Sequence, residues 1–284
     1  MKPIIKYRGG KYREIKYFEE FIPEGFDTYI EPFVGGGAVF FYLEPRKSII
    51  NDINQRLIEF YRELRDSYEV LRAQLDELQT TYENNQKEYE AAKSKAGETT
   101  YVENKNEKLY YQIRDIYNNP NGKWLNATTY YFINKTSYSG MIRHNSNGDY
   151  NVPFGRYKHF NAKVITDEHN RLLRRTKICN EDFAAIFDMA KPSDFMFLDP
   201  PYHMASFNDY GNTQYINGFS EDEHKRLAKK YKQLCCKALM VISKTNLTEE
   251  LYKEYIAGEY GKEYMVNIRN RFRASAQHII VKNY

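Results

Sequence analysis

Cysteine is scarce in this sequence of 284 residues, which contains only Cys179, Cys235 and Cys236. The number is odd and two of the three are adjacent, so their spacing predicts neither a disulfide framework nor a zinc site, and a reducing compartment is expected. No apolar run approaches the roughly 18 residues that cross a bilayer, and the basic N-terminal residues lack the apolar stretch of a signal peptide. We therefore expect no membrane segment and a cytoplasmic location.

An excess of charge of one sign is also nearly absent, since 42 Lys and Arg residues stand against 38 Asp and Glu. A net charge of +4 does not identify a nucleic-acid partner, because the distribution of charge matters more than its sum. The apolar fraction of 42% suffices for a folded core and excludes a disordered polyelectrolyte. Tryptophan occurs once whereas tyrosine occurs 27 times, so tyrosine is the residue type that is unusually abundant.

Short apolar runs alternate with helical patterns in two parts of the chain, which predicts an α/β fold. Near the N-terminus, strands over 28–30 and 48–50 flank a glycine turn and a helix over 38–43. After residue 177, strands are predicted from Ile178 and over 195–198, 238–242 and 278–282, with an amphipathic helix over 221–234.

The middle of the chain has a different composition. Residues 57–117 are rich in Glu, Lys, Gln and Tyr with apolar residues at helical spacing, which predicts one long helix or a helical hairpin broken near Gly97. The pattern favours a solvated helical insertion over a coil that binds a partner. Residues 120–160 are rich in Asn, Ser, Gly, Arg and aromatics, and Asn147-Gly148 predicts a tight β-hairpin. The α/β domain is thus interrupted by a helical and hairpin insertion.

Two segments near the N-terminus indicate a site for a nucleoside-containing ligand. Glu31-Pro-Phe-Val-Gly-Gly-Gly37 lies between a predicted strand and a predicted helix, where glycines let the backbone approach a ligand closely. Asp52 follows the next strand, at the position from which an acid binds ribose hydroxyls in dinucleotide-type folds. Each signal alone has a simpler interpretation, since a glycine-rich turn is often only a turn and Asp52 could cap a helix that begins near Gln55.

A third segment, Asp199-Pro-Pro-Tyr202, ends the apolar strand predicted over 195–198. Open α/β sheets bind ligands at the carboxyl ends of their strands, so this acid lies where chemistry is expected. The Asp199 carboxylate and the Pro200 carbonyl can accept hydrogen bonds from an amino group on a planar ring, and Tyr202 offers a stacking face. Holding the amine in this way draws its lone pair out of conjugation and makes the nitrogen a nucleophile. The alternative is a turn in which Asp199 caps the following segment.

Together these segments resemble the Dam-type DNA adenine-N6 methyltransferases, and the resemblance covers nearly the whole chain. It rests on ordered motifs at residues 5–11, 31–37, 51–54, 151–158, 199–202, 218–220 and 283–284. It implies a Rossmann-like methyltransferase sheet with an inserted helical plus β-hairpin target-recognition domain. Residues 1–56 and 161–284 would then form the catalytic domain, and residues 57–160 the target-recognition domain.

The resemblance also implies an activity and a set of site residues. The activity is methyl transfer from S-adenosylmethionine to the exocyclic N6 of an adenine flipped out of duplex DNA, with S-adenosylhomocysteine as product and no metal. The implied catalytic residues are Asp199, Pro200 and Tyr202. The implied cofactor-binding residues are Tyr7, Lys11, Phe33, Gly35, Gly37, Asp52, Asp182, Phe183 and Asp199. The implied DNA-binding residues are Lys6, Tyr138, Ser139, Met141, Arg143, Asn145, Pro153 and Arg156.

The implied partner is double-stranded DNA, bound by a monomer in the cytoplasm of a bacterium or, for a phage-encoded enzyme, of its host. The residues themselves favour this partner, because basic residues cluster over 135–177 and at Arg269, Arg271 and Arg273. The planar donor fork of Arg143 suits a guanine edge. Ser139 and residues 135–137 differ from the residues usual in the family, which bears on the target sequence. Two other functions remain open: methylation of an amine in RNA or protein, and DNA binding without catalysis.

Overall fold

The computed structural model describes residues 1–7, 9–97, 100–201, 219–263 and 275–284, which divide into two compact units. The first unit comprises residues 11–54 and 175–284 with Lys2, and the second comprises residues 3–10 and 55–174 with Met1. We call them the sheet unit and the helical unit. Of the residues singled out by the sequence, Tyr202, Gly218, Arg269, Arg271 and Arg273 lie outside the described residues.

The sheet unit contains a seven-stranded sheet among its described residues. Its strands are β1 (Tyr29–Glu31), β2 (Ser48–Asn51), β3 (Thr176–Cys179), β4 (Phe195–Leu198), β5 (Lys237–Ser243), β6 (Ile256–Glu263) and β7 (Ser275–Lys282). The spatial order is β3-β2-β1-β4-β5-β7-β6; strands β1 to β5 pair in parallel, and β7 pairs antiparallel with β5 and β6. Every residue of β1 and β4 is buried, as expected for parallel strands covered on both faces. This sheet confirms the predicted Rossmann-like α/β fold.

The helices of the described residues follow the chain from α1 to α9. They are α1 (Ala38–Leu43), α2 (Gln55–Asp66), α3 (Tyr68–Lys95), α4 (Lys105–Asn118), α5 (Asn126–Thr136), α6 (Asp167–Arg174), α7 (Phe183–Phe187), α8 (Glu221–Lys232) and α9 (Asn246–Tyr252). Helices α1, α7, α8 and α9 belong to the sheet unit, and α2 to α6 belong to the helical unit. Among these residues no helix has both the length and the apolar character needed to span a membrane.

Local sequence patterns predicted most elements of the sheet unit. Helix α1 and strand β4 have the predicted bounds, while β3 begins at Thr176, two residues before the predicted start. Strand β6 was not predicted. Its sequence contains two glycines and lacks regular apolar alternation, which an edge strand tolerates because it pairs with β7 alone.

In the helical unit, α3 and α4 form the helical hairpin that was one of the two predicted alternatives. Leu71, Leu75, Leu78 and Tyr82 of α3 are buried. The Asn106 side chain at the start of α4 donates to the Tyr82 carbonyl at 2.9 Å and accepts from Asn85 at 3.1 Å. The chain also breaks at Ser67, between α2 and α3, where no break was predicted.

Helix α5 is buried around most of its circumference and was not predicted. Nine of its eleven residues are buried, and it packs against α2, α3 and α4. A helix enclosed in this way shows no apolar stripe, so the period that identifies amphipathic helices is missing from its sequence. Its β-branched and aromatic residues resemble those of a strand as much as those of a helix.

The bounds of the two units differ from those of the predicted domains. Residues 161–174 join the helical unit, where the Asn170 side chain donates to the carbonyls of Leu64 and Arg65, both at 2.8 Å. Residues 3–10 also join it. The Asn134 amide of α5 accepts from the Lys6 backbone N–H at 2.9 Å and donates to the Lys6 carbonyl at 2.8 Å. These bonds assign both segments to the helical unit, whereas the functional division into catalytic and recognition domains stays a prediction.

Candidate active site

The strand order of the sheet reverses between β1 and β4, which lie side by side at its middle. Such a switch point leaves a crevice at the carboxyl ends of the strands, where ligands of open α/β sheets bind. Glu31 is the last residue of β1, and Asp199 follows β4 directly. Asp52 follows β2, the other neighbour of β1. The fold thus brings three acids to one edge of the sheet.

The glycine segment turns the chain sharply between β1 and α1. Gly35 and Gly37 have φ values of 47° and 66°, in the left-handed region that glycine adopts without a Cβ clash. The Val34 N–H donates to the Asn51 carbonyl at 2.8 Å, and the Gly37 N–H donates to the Val34 carbonyl at 2.7 Å. These bonds fix the turn against the end of β2.

Asp52 is only 8% exposed, and backbone N–H groups hold its carboxylate. Gly35 donates to Oδ2 at 3.0 Å, and Asn54 donates to Oδ1 at 2.9 Å. Burial raises the pKa of Asp52 to about 6, against the opposing effect of these N–H groups. The alternative role of Asp52 as a helix cap is realised in part, because its Oδ1 atom accepts from Asn54, which directly precedes α2. The other oxygen, however, contacts the glycine turn.

Asn51 connects the loops that follow β1, β2 and β3, a role that the sequence did not predict. Its Nδ2 group donates to the carbonyls of Pro32 and Glu181, both at 3.0 Å, and its Oδ1 atom accepts from the Glu181 N–H at 2.8 Å. The Asn180 side chain adds a bond to the Asp52 carbonyl at 2.7 Å. The loops after β1, β2 and β3 are therefore fixed to one another by buried and partly buried amides.

Asp199 forms an ion pair with Lys11, whose Nζ lies 2.6 Å from Oδ1. Lys11 is 1% exposed and Asp199 is 22% exposed, so the pair is largely shielded from water while the carboxylate remains accessible. Pro200 beside it is buried. Shielded charges interact more strongly than exposed ones, so this pair fixes the acid at the end of β4.

Glu31 is a further acid at this edge that we did not select from the sequence. Its Oε2 atom accepts from the Tyr29 hydroxyl at 2.8 Å, and only 2% of the residue is exposed. Burial raises the pKa of Glu31 well above its ordinary value, and the charges of Asp199 and Asp52 act in the same direction. An acid in an otherwise apolar strand was the signal that could have identified it.

The cofactor residues expected after β3 lie in an aromatic cluster. The Phe183 ring is 5.4 Å from the Phe33 ring and 6.0 Å from the Phe219 ring, centroid to centroid. The Arg226 guanidinium of α8 lies 4.1 Å from the Phe183 centroid and binds both oxygens of Asp182, at 2.8 and 2.7 Å. This bidentate pairing lowers the pKa of Asp182. Arg226 was not predicted, because it lies 44 residues from Asp182 in the chain.

Comparison with known proteins identifies the family of this chain. Residues 7–268 match the family of D12 class N6 adenine-specific DNA methyltransferases. The chain belongs to this family. It is 36% identical to the type II methyltransferase M.CviBI of Paramecium bursaria Chlorella virus NC1A, across the full length of both proteins. It is 31% identical to M.MjaIII of Methanocaldococcus jannaschii, over 100% of this chain and 99% of that protein. It is 28% identical to the DNA adenine methylase of Salmonella typhimurium, over 89% and 84% respectively.

The protein is therefore an adenine-N6 DNA methyltransferase, which confirms the activity implied by the sequence resemblance. Its substrate is DNA. The roles of the individual site residues are predictions from the sequence. Within the sheet unit, Lys11 and Asp199 are in direct contact, as are Gly35 and Asp52, and the rings of Phe33 and Phe183 pack together. Tyr7 belongs instead to the helical unit of the methyltransferase.

In the helical unit, the segment after α5 pairs with residues 153–155. The Tyr138 N–H donates to the Pro153 carbonyl at 2.9 Å, and the Gly155 N–H donates to the Thr136 carbonyl at 2.8 Å. A Cβ at Gly155 would lie 2.7 Å from the Ser137 carbonyl oxygen, so only glycine fits this close approach. The pairing places Tyr138, which is 42% exposed, beside Pro153 on the surface of the methyltransferase.

Residues 143–151 form the predicted hairpin, although its arms pair only at the isolated bridge between His144 and Tyr150. Asn145 shapes its turn: Oδ1 accepts from the N–H groups of Asn147 at 3.0 Å and Asp149 at 2.9 Å. Gly148 has a φ of 84°, as expected for glycine in such a turn. The side chain of Asn145, predicted to bind DNA, thus also holds the turn of this methyltransferase.

Lys6 is embedded in polar and aromatic groups of the helical unit. Its Nζ donates to the Lys135 carbonyl at 3.2 Å and lies 4.1 Å from the centroid of the Tyr157 ring. Burial, with the charge of Lys6, lowers the pKa of Lys135 to about 8. Two cations thus lie close together in this part of the methyltransferase.

Two of the remaining predicted DNA-binding residues are exposed and have unusual backbone geometry. Ser139 and Arg156 have φ values of 55° and 54°, in the region where residues other than glycine are strained. Arg156 is exposed, whereas Met141 is half-buried and accepts the Tyr150 hydroxyl at its carbonyl, at 2.8 Å. Strained residues on a surface are often held there for binding.

Proposed function

We propose that the carboxyl edge of the sheet unit binds S-adenosylmethionine and presents Asp199 and the Pro200 carbonyl to the amino group of the target adenine. The observation that carries this proposal is the Lys11–Asp199 pair at the end of β4. It fixes an acid at the switch point, where a ligand is expected. The helical unit supplies the groups that recognise the DNA.

The residues at this edge fit the proposed cofactor in charge and in hydrogen bonding. When bound, S-adenosylmethionine supplies an electrophilic methyl group on a positively charged sulfur. The negative charges of Asp199 and Asp52 help to raise the pKa of the buried Glu31, and a cationic ligand at this edge would offset them. An ionised carboxylate offers about four acceptor positions, so Asp52 can bind a ribose hydroxyl in addition to the backbone N–H groups of Gly35 and Asn54.

The remaining cofactor contacts are assigned to the glycine turn and to the aromatic cluster. Gly35 and Gly37 let the backbone approach the cofactor closely, and Phe33 lines the same turn. Arg226 fixes Asp182 and Phe183, which we assign to the adenine end of the cofactor. The arrangement is built from side chains and backbone groups that are already held in place.

The chemistry at Asp199 follows from its capacity as an acceptor. An ionised carboxylate can hold the Lys11 ammonium and an adenine amino group together. The Pro200 carbonyl accepts the second hydrogen of the amino group, so its nitrogen lone pair turns away from the ring and towards the methyl donor. Asp199 then takes up the proton that the nitrogen loses. Catalysis of this kind depends mainly on positioning and electrostatics.

The DNA-binding part of the proposal rests on the exposed groups of the helical unit. A target adenine inside a duplex has to be flipped out, at a cost of a few kcal/mol that stacking and edge contacts offset. Tyr138 and Met141 are placed on the surface segment after α5 and can fill the vacated stack. Arg143 is assigned to a base edge, and Lys6 and Arg156 to further base or phosphate contacts.

The test uses purified enzyme, methyl-labelled S-adenosylmethionine and duplex DNA, with RNA and protein as alternative acceptors. Asp199→Asn should lose more than about a thousandfold in turnover, or ~4 kcal/mol in barrier, while binding of the cofactor by calorimetry largely persists. Asp188→Asn serves as the matched control, because Asp188 is an exposed acid of the same unit paired with Lys230. Activity of the Asp199 variant within tenfold of the wild type would refute the catalytic assignment. Label in RNA or protein alone would refute DNA as the acceptor.

A further inference from the structure

The side chain of Arg143 makes two hydrogen bonds to a single residue across the hairpin. Its Nε–H donates to Asn151 Oδ1 at 2.7 Å, and its Nη2 group donates to the Asn151 carbonyl at 3.1 Å. The backbone reinforces the contact, since the Asn151 N–H donates to the Arg143 carbonyl at 3.1 Å. Asn151 thus holds the Nε/Nη2 edge of the guanidinium by two hydrogen bonds.

These hydrogen bonds leave the Nη1/Nη2 edge of the Arg143 guanidinium for a ligand. A guanidinium has five N–H groups, and Asn151 takes one on Nε and one on Nη2. The other Nη2 hydrogen and both Nη1 hydrogens make no hydrogen bond within the described residues. The remaining Nη2 hydrogen and the neighbouring Nη1 hydrogen form a planar pair of donors, which matches the adjacent O6 and N7 acceptors of guanine in the major groove.

The residues on either side of Asn151 are fixed to helix α4. Tyr150 is buried and exchanges two backbone hydrogen bonds with the Asn118 side chain, at 2.8 and 3.1 Å. Val152 is fully buried, and its carbonyl accepts from the Tyr110 hydroxyl at 2.8 Å. Asn151 itself is therefore anchored on both sides, although Arg143 is exposed.

We propose that Asn151 is a positioning residue that presets the Arg143 guanidinium for bidentate reading of a guanine edge, and that it thereby sets how strictly the enzyme selects its DNA site. This inference rests on the proposed function, in which Arg143 reads a base. A long exposed side chain that is ordered before binding loses less entropy on contact with DNA. The preset direction also penalises a base pair that offers no matching pair of acceptors.

The experiment first maps N6-methyladenine in a methylation-free host that expresses the wild type, and then measures kcat/KM on duplexes that carry the mapped site. The probe is 7-deazaguanine, which lacks the N7 acceptor, placed at each guanine of the site in turn. We expect one position at which the wild type loses about tenfold or more. Arg143→Ala should lose sensitivity at that position. Asn151→Ala should reduce the loss of kcat/KM caused by 7-deazaguanine at that position by about two- to tenfold.

The variants separate positioning from simple support of the hairpin. Asn118→Ala is the matched control, because it loosens the anchor at Tyr150 without touching Arg143. It should keep the 7-deazaguanine sensitivity. Asn151→Asp keeps the Oδ acceptor, so it should restore that sensitivity even though its charge weakens overall DNA affinity. In a double-mutant cycle, Asn151→Ala should add no further loss of selectivity to Arg143→Ala.

Each outcome distinguishes the inference from the proposal beneath it. If Arg143→Ala leaves the methylated motif and the 7-deazaguanine profile unchanged, Arg143 is not a base reader. The proposed role of Arg143 and the positioning role of Asn151 then both fail. If Arg143→Ala relaxes the motif but Asn151→Ala does not, only the positioning role of Asn151 is overturned. Equal losses in Asn151→Ala and Asn118→Ala would also overturn it, since both would then act through hairpin stability. Thermal melting of each variant checks that the fold persists.

Discussion

The sheet edge and the hairpin hold ionisable side chains in different ways. At the sheet edge, Lys11, Asp52 and Glu31 are buried, and fixed partners hold them in short hydrogen bonds. On the hairpin, Arg143 is exposed and a single neighbour holds only one edge of it. The difference matches the two proposed tasks, which are catalysis at the sheet edge and DNA reading on the hairpin. Catalytic groups gain from a shielded environment that strengthens electrostatic interactions, whereas groups that read DNA have to remain accessible until DNA arrives.

The contrast predicts where a single substitution costs stability as well as function. Removing one partner from a buried charge pair leaves the other charge without compensation, which destabilises the fold. Removing an exposed arginine leaves no buried charge behind, so the effect is confined to binding.

Lys11→Met should give the largest effect, because it leaves Asp199 without its ammonium partner. We expect turnover to fall by about a hundredfold or more, and the free energy of unfolding to fall by about 3 kcal/mol. Labelled methyl transfer and thermal melting measure the two losses. Lys230→Met is the matched control, since Lys230 pairs with the exposed carboxylate of Asp188. Equal effects of the two variants would show that the shielded Lys11–Asp199 pair contributes no more to turnover and stability than the exposed Lys230–Asp188 pair.

The pH dependence of cofactor binding should give the next largest effect. Burial raises the pKa of Asp52 from 3.8 to about 6, so the carboxylate becomes protonated as the pH falls through 6. If ribose binding requires the ionised form, the dissociation constant of S-adenosylmethionine rises towards tenfold per pH unit below about 6. Calorimetry from pH 5 to 8 measures the profile. Asp52→Asn should bind more weakly than the wild type at pH 7 to 8 and lose this dependence, and identical profiles for both proteins would exclude Asp52 as the titrating group.

Arg156→Ala should give the smallest effect, limited to DNA affinity. As a phosphate contact, Arg156 contributes about 0.9 to the slope of log affinity against log salt, and the variant should lose that amount. The methylated motif and the melting temperature should not change. Arg171→Ala is the control, because Arg171 is an exposed residue of α6 paired with Asp167. A changed motif would instead make Arg156 a base reader.

Local patterns in the sequence predicted the elements that carry the site but not the contacts that complete it. Strand β4 ends directly before Asp199 as predicted, because a continuous apolar run followed by Asp-Pro-Pro is a strong local signal. The partner of Asp199 was not predictable, since Lys11 lies 188 residues away and no local pattern links the two. Helix α5 was missed for the complementary reason, because enclosure by its neighbours removes the apolar period.

The interrupted course of the sheet strands has a consequence during synthesis. Strand β1 pairs with both β2 and β4, but β4 begins at residue 195, after the whole helical unit has been made. At translation rates of about 5–20 residues per second, β1 and β2 are therefore made on the order of 10–30 s before the strand that completes the switch point. The helical unit can fold in that interval. A ribosome that stops before β4 releases a chain that contains the helical unit but lacks Asp199 and the switch point of the sheet.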